Sequence, residues 1–188
     1  MRFWNFFLLI NLIWFLSEII IGRLTFRRTK AQQTDRKSLR RLWLTILPAV
    51  FTGVFLGISG QGRLPFPAQP VLILGSFLIV LGLAVRWWAV LTLRHFFTSN
   101  VQILEDHQLI DAGPYGLIRH PAYAGSLLSF LGLGLAFNSW LSIVVIFVPI
   151  FLAFSFRIKV EEEALLNAFG AAYREYQART KKLIPFVY

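Results

Sequence analysis

The 188-residue sequence contains no cysteine and is poor in acidic side chains. Without cysteine the chain can form neither a disulfide bond nor a thiolate nucleophile, and a zinc site of the Cys/His type is excluded. Its three histidines are scattered and lack the HExxH spacing of a zinc protease, so we expect no bound metal. Only nine Asp and Glu residues oppose nineteen Lys and Arg residues, which gives a net charge of +10.

Hydrophobic residues make up 56% of the chain and are concentrated in long runs. Soluble domains contain about 45–50% apolar residues, and a helix of about 20 residues spans the hydrocarbon layer of a bilayer. The runs therefore predict an all-α, multi-pass integral membrane protein that forms a single domain over residues 1–188. The first run is followed by RLTFRRTK rather than by a small-residue cleavage site, so we expect an uncleaved membrane helix and not a signal peptide.

Five membrane helices are predicted from these runs. The last run, residues 122–156, is too long for one span and short for two full ones, and FNSW at 137–140 breaks it into a helical hairpin. We expect three helices within residues 1–93 and two in the hairpin, at 3–22, 42–59, 71–93, 122–137 and 139–158. Glu18 lies inside the first helix, where we expect it near the membrane interface; a role in a pocket is the alternative.

The distribution of basic residues predicts the orientation of these helices. The loop 23–41 carries eight Lys and Arg residues, whereas the loop after the second helix carries only Arg63. By the positive-inside rule the first loop is cytoplasmic, so the N-terminus is outside, and the segment 94–121 and the C-terminal tail are cytoplasmic. Topology and attraction to membrane lipids thus account for the positive charge, and nucleic acid is not an expected partner.

Most of the remaining polar residues occur in two cytoplasmic stretches, 94–123 and 157–182. The predicted hairpin joins them, and a hairpin returns to the membrane face that it left. The two stretches are therefore expected to meet at one face and to form a polar pocket between the 94–121 loop and the C-terminal helix.

The motif GPYGLIRHPAYAG at 113–125 places polar side chains at the start of an apolar helix. Pro121 suits the first helical position, because its missing N–H would be unpaired there. The N–H groups of Ala122 and Tyr123 can then bind a carboxylate, with Arg119 and His120 as further donors. Gly and Pro also occur in ordinary turns, so a simple helix start remains an alternative.

Charged residues also follow the predicted hairpin. Arg157 and Glu161 are four residues apart and share one face of a helix. The glutamates at 161–163 cannot lie in hydrocarbon, so the membrane helix leaves the bilayer before them. Beyond them, apolar residues at 3–4 spacing predict an amphipathic helix on the membrane surface or against the 94–121 loop. A surface ion pair and a solvated glutamate face are the alternatives.

Together, GPY, RHPAY, the hydrophobic hairpin and EEEALLNAFGAAYREYQARTKKLIPF resemble the isoprenylcysteine carboxyl methyltransferases, from about residue 100 to the C-terminus. The resemblance implies an enzyme that uses S-adenosylmethionine to methylate the carboxylate of a prenylated cysteine at the cytoplasmic face, with 94–188 as its catalytic region. S-adenosylhomocysteine would be the product, and the lipid-modified substrate would enter from the bilayer. An NADPH-dependent sterol reductase and a non-catalytic lipid-binding protein are the alternatives.

The resemblance also implies roles for individual residues. Arg157 corresponds to the residue that holds the substrate carboxylate, Glu161 corresponds to a carboxylate on the cofactor side, and both match catalytic positions. The positions that match the cofactor-binding residues of the family are Gln102, His107, Gln108, Leu109, Ile110, Tyr115, His120, Pro121, Ala122, Tyr123 and Glu161.

Overall fold

A computed structural model describes residues 2–25, 33–97 and 109–184, with the backbone alone at 2, 33–38 and 95. Two short 3-10 helices lie at Arg94–Phe96 and Gly113–Gly116, and no strand occurs within the described ranges. The predicted all-α class is therefore confirmed. The five α-helices are α1 Arg2–Thr25, α2 Gln33–Ile58, α3 Ala68–Leu93, α4 Pro121–Ala136 and α5 Trp140–Arg179.

Four of these helices, α1, α2, α3 and α5, are long and apolar enough to cross a membrane. The remaining helix, α4, has 16 residues. At 1.5 Å per residue it is about 24 Å long, which is less than the roughly 30 Å of a hydrocarbon layer. Large apolar side chains of α1, α2 and α3 face outward, as expected where lipid is the solvent. The chain is an integral membrane protein in which α4 and α5 form the predicted hairpin.

Two helices extend beyond their predicted bounds. The second begins at Gln33 instead of position 42, and the fifth ends at Arg179 instead of position 158. Glu, Ala, Leu and Lys favour a helix in water as well as in lipid, so a helix need not end where the hydrocarbon does. The predicted amphipathic segment therefore begins as the continuation of α5, and its last part, beyond Gly170, packs against the loop before α4. It bends at Gly170, whose φ of 52° is left-handed and favours glycine.

Glycines bring α3 and α4 into backbone contact. A Cβ atom at Gly82 would lie 2.4 Å from the carbonyl oxygen of Gly125, and one at Gly132 would lie 2.5 Å from that of Gly75. Small residues of this kind allow membrane helices to approach closely, and dispersion contacts then stabilise the pair. The tight α3–α4 pair holds the start of α4 at a fixed position against the C-terminal half of α3.

The helices α1 and α2 pack on different partners. Trp87 Nε1 of α3 donates to Ser17 Oγ of α1 at 2.6 Å. Ser142 Oγ of α5 donates to the carbonyl of Gly53 in α2 at 2.6 Å, where a larger residue than glycine would collide with Ile146. Because α1 is held by α3 and α2 is held by α5, a cleft lined by apolar residues of both helices lies between them.

Exposed tryptophans mark the two ends of the membrane-embedded part. Trp4 and Trp140 lie at the N-terminal ends of α1 and α5. Trp43 and Trp88 lie toward the opposite end of the bundle. Tryptophan is enriched where the hydrocarbon layer meets the headgroups. Arg157 therefore lies near one interface, and the part of α5 that follows Arg157 lies beyond that interface.

Candidate active site

The polar end of the bundle is formed by the loop before α4 and the C-terminal part of the chain. The backbone N–H of Arg119 donates to the carbonyl of Lys181 at 2.8 Å, and that of His120 donates to the carbonyl of Lys182 at 3.0 Å. The two polar stretches that were expected to meet are therefore in direct contact. This pairing holds the residues before α4 against the end of α5.

A buried carboxylate, Glu162, organises this contact. Its Oε1 atom accepts from Arg119 Nε at 2.8 Å and lies 3.3 Å from His120 Nε2, while Lys182 Nζ lies 3.4 Å from Oε2. Arg119 also donates to the carbonyl of Thr180. Glu162 was not among the predicted site residues, since the three adjacent glutamates at 161–163 look alike in the sequence. Glu162 therefore stabilises the contact between the loop before α4 and the C-terminal part of the chain, and one nitrogen of His120 points toward it.

Tyr115 connects the 3-10 helix before α4 to α5. Its carbonyl accepts from the hydroxyl of Tyr176 at 2.7 Å, and its side chain is buried. Burial raises the pKa of the Tyr115 phenol well above its usual range, and the negative charge of Glu161 raises it further. The hydroxyl is therefore neutral at physiological pH and remains able to donate a hydrogen bond.

Arg157 and Glu161 are joined through a tyrosine. Arg157 is only 3% exposed, and its Nε atom donates to the hydroxyl of Tyr123 at 3.0 Å. That hydroxyl donates in turn to Glu161 Oε2 at 2.9 Å. The three residues form one hydrogen-bonded row that crosses from α5 to α4 and back. The residue matched to substrate binding and the residue matched to cofactor binding are thus coupled by Tyr123.

An ion pair that the sequence analysis missed joins α1 and α3. Arg86 Nε lies 2.6 Å from Glu18 Oε1, and Arg86 Nη2 donates to Oε2 at 2.8 Å, which is a two-pronged arrangement. Arg86 Nη1 also donates to the carbonyl of Ala122 at 3.2 Å. Glu18 therefore contributes to the wall of a pocket, which was the alternative given for this residue. A lone arginine inside an apolar helix was the signal that could have revealed the pair.

A cavity of about 1130 Å³ connects these groups to the lipid-facing side. One part is the polar end, where Arg157, Glu161 and Arg86 contribute to the wall. The other part is the apolar cleft between α1 and α2, which reaches residues as distant from the polar end as Phe7 and Phe137. A ligand with a charged end and a long apolar chain matches this division of the cavity.

Most of the predicted site residues line this cavity. Pro121 is fully buried at the start of α4, and the predicted Gln102, His107 and Gln108 lie outside the described residues. No cluster of three or more His, Asp or Glu side chains able to hold a metal occurs in the described parts of the chain. The predicted residues in the cavity wall are Leu109, Ile110, Tyr115, His120, Ala122, Tyr123, Arg157 and Glu161.

Comparison with protein families gives one match over more than half of the chain. A family model described as PEMT, phospholipid methyltransferase, matches residues 70–172. This range contains most of α3, all of α4, Glu162 with its partners Arg119 and His120, and the row formed by Arg157, Tyr123 and Glu161.

Individual proteins show the same similarity. The chain is 36% identical over 117 residues to protein-S-isoprenylcysteine O-methyltransferase of Saccharomyces cerevisiae, which covers 61% of this chain and 49% of that protein. It is 34% identical over 115 residues to protein-S-isoprenylcysteine O-methyltransferase B of Arabidopsis thaliana, covering 60% and 58%. The chain thus spans about half to three fifths of the length of these relatives.

A solved structure agrees with these matches. The eukaryotic intramembrane Ras methyltransferase ICMT (isoprenylcysteine carboxyl methyltransferase) is similar with a TM-score of 0.60 and 25% identity. The match covers 85% of this chain and 55% of that one. The resemblance that the motifs at 113–125 and 161–186 indicated is therefore confirmed.

Proposed function

Because this chain belongs to the phospholipid methyltransferase family, we propose that it transfers a methyl group from S-adenosylmethionine to the carboxylate of a lipid-linked acceptor of the prenylated-cysteine class. The observation that carries the proposal is the position of Arg157. It is a buried arginine in the wall of a cavity whose apolar part opens between membrane helices. A lipid chain in the cleft would present its polar end to this guanidinium.

An arginine at this position favours a carboxylate over an amine as the acceptor. The planar guanidinium can pair with both oxygens of a carboxylate, whereas it repels a protonated amine. Arg86 also lies in this wall, where its charge is paired with that of Glu18. The acceptor carboxylate is already ionised at neutral pH, since an α-carboxyl group has a pKa of about 3.5, so no general base is required.

The start of α4 fits the amino-acid carboxylate of S-adenosylmethionine. Pro121 occupies the first turn, and no side chain caps the helix. The N–H groups of Ala122 and Tyr123 precede the first hydrogen bond of the helix, which Ala124 N–H donates to the His120 carbonyl at 3.0 Å. Unpaired N–H groups and the positive end of the helix dipole attract an anion.

Other groups in the cavity wall fit the rest of the cofactor. The carboxylate of Glu161 can pair with its ammonium group, and Leu109 and Ile110 offer an apolar surface for its adenine ring. The buried hydroxyl of Tyr173 has no hydrogen-bond partner among the described residues, so this wall contains a polar group that a ligand could satisfy. When bound, S-adenosylmethionine supplies an electrophilic methyl group on a sulfonium.

The residues of the chain perform the alignment. Arg157 holds the acceptor carboxylate, and Glu161 holds the ammonium group of S-adenosylmethionine. Tyr123 bonds to both, so the distance between the two binding groups is set by one rigid side chain. Fixing two reactants in a reactive arrangement removes much of the entropic part of the barrier, and an apolar cleft filled by a lipid chain excludes water.

Binding and turnover assays test this function. The purified protein is expected to be stabilised against heat by S-adenosylhomocysteine and not by NADPH. It should methylate a prenylated cysteine that has a carboxylate, but neither its carboxamide analogue nor phosphatidylethanolamine. Stabilisation by NADPH alone would favour the reductase alternative. Methylation of phosphatidylethanolamine would show that the acceptor is an amine and not a carboxylate.

Substitution of Glu161 is expected to weaken cofactor binding. Glu161→Gln removes the charge that would pair with the ammonium group, and a hydrogen bond to a charged group contributes about 1.5–3 kcal/mol. The affinity for S-adenosylhomocysteine, measured by calorimetry, should fall roughly ten- to a hundredfold. Glu163→Gln is the matched control, because that glutamate is exposed two positions away. Equal affinities of the two variants would contradict the role of Glu161.

The proposed cytoplasmic side of the site can be tested by cysteine labelling, since the chain has no cysteine of its own. Gln61→Cys and Glu175→Cys place single thiols at exposed positions at opposite ends of the bundle. The excess of basic residues in the loop 23–41 predicts that an impermeant maleimide added to intact cells labels position 61, and labels position 175 only after permeabilisation. The reverse pattern would place the site on the outer face.

A further inference from the structure

Tyr173 lies in the part of α5 that follows the bend at Gly170. Its side chain is 0% exposed, and its ring packs against that of Tyr176 with a centroid distance of 6.0 Å. It is also part of the wall of the cavity. A tyrosine in this position has its ring in a packed environment while its hydroxyl requires a hydrogen-bond partner.

The hydroxyl of Tyr173 has no such partner among the described residues. The other described tyrosines of this helix and of α4 are different. Tyr176 donates to the Tyr115 carbonyl at 2.7 Å, and Tyr123 donates to Glu161 at 2.9 Å. Nearly all buried hydroxyl groups are hydrogen-bonded, because an unpaired one loses its bonds to water without replacement. The exception at Tyr173 therefore requires an explanation.

The surroundings of Tyr173 indicate what kind of group would satisfy it. The charged side chains that act on its phenol are Glu162, Arg119 and Glu161, so it belongs to the polar end of the cavity. Glu162 and Arg119 already bond to each other at 2.8 Å. The apolar chain of a lipid has no acceptor to offer, whereas a nucleoside-containing cofactor carries several hydroxyl and nitrogen atoms.

We propose that the Tyr173 hydroxyl forms a hydrogen bond with the S-adenosylmethionine molecule that the proposed function requires. Tyr173 is then a binding residue on the cofactor side of the cavity, separate from the row of Arg157, Tyr123 and Glu161. The inference rests on the proposed function. It explains why the chain keeps a buried hydroxyl that no described residue of its own satisfies.

Two substitutions with opposite expected signatures test the inference. Tyr173→Phe keeps the ring and removes only the oxygen. Without ligand, the thermal stability of this variant should equal or exceed that of the unmodified protein, since none of the described residues bonds to the removed oxygen. Its affinity for S-adenosylhomocysteine, measured by calorimetry, should fall roughly five- to tenfold, the loss expected for one hydrogen bond.

Tyr176→Phe is the matched control. It removes a hydroxyl that bonds within the chain and leaves the buried Tyr115 carbonyl without its donor. Its melting temperature without ligand should therefore fall by roughly 2–4 °C, the shift that about 1 kcal/mol produces in a chain of this size. Comparison of the two variants distinguishes a hydroxyl that bonds to a ligand from one that stabilises the fold.

The outcomes separate this inference from the proposed function. An unchanged affinity of Tyr173→Phe, in a protein that binds S-adenosylhomocysteine, would overturn the role of Tyr173 and leave the proposed function intact. A lower melting temperature of ligand-free Tyr173→Phe would show that the hydroxyl bonds within the chain, and would also overturn it. If the unmodified protein does not bind S-adenosylhomocysteine at all, both proposals fall.

Discussion

Replacing Arg157 with lysine is expected to reduce methyl transfer to a prenylated cysteine about 30-fold or more, because disturbing a buried charge pair costs about 2–5 kcal/mol. Lysine keeps the positive charge but has no planar fork to hold both oxygens of a carboxylate. The loss should occur in kcat/KM for the acceptor. The affinity for S-adenosylhomocysteine should change less than about threefold, because Glu161 and the start of α4 are unaltered.

Lys159→Ala is the control for this experiment, since Lys159 is an exposed cation two residues further along α5. It should have normal turnover. The competing account is that Arg157 only orients Tyr123, whose hydroxyl it contacts at 3.0 Å. On that account the lysine variant would weaken cofactor binding as well, through Tyr123 and Glu161. Near-normal turnover of Arg157→Lys would remove it from the substrate-binding site.

Gly132→Ala is expected to cause the largest loss of stability, about 3 kcal/mol or a decrease of roughly 6–12 °C in melting temperature in detergent. The added Cβ would lie 2.5 Å from the Gly75 carbonyl oxygen and 2.9 Å from the Ile79 nitrogen. Both are backbone atoms and cannot rotate away, so α3 and α4 must separate. Their dispersion contacts would weaken along the whole pair.

Gly22→Ala provides the matched control in another helix. A Cβ at Gly22 in α1 would meet no atom within 4 Å, and alanine favours a helix over glycine by about 1 kcal/mol. This variant should be as stable as the unmodified protein or slightly more stable. If Gly132→Ala were equally stable, the close approach of α3 and α4 would not be a determinant of the fold.

Much of the architecture follows from the sequence alone. The spans 3–22, 71–93 and 122–137 agree with helices to within three residues, because the thickness of a bilayer sets the length of an apolar run. The hairpin predicted that 113–125 and 157–182 lie at one membrane face, because a hairpin returns to the face that it left. The placement of Arg157 and Glu161 on one helix face follows from their four-residue spacing.

The tertiary structure decided which polar groups became partners. Glu18 and Arg86 are 68 residues apart, and only the packing of α1 on α3 brings them together. Of three adjacent glutamates, Glu162 turns toward Arg119 and His120, while Glu161 turns toward Tyr123, because each points in a different direction around α5. Local sequence sets the periodicity of a helix, whereas the identity of its neighbours depends on contacts between distant segments, and these form only when the helices pack.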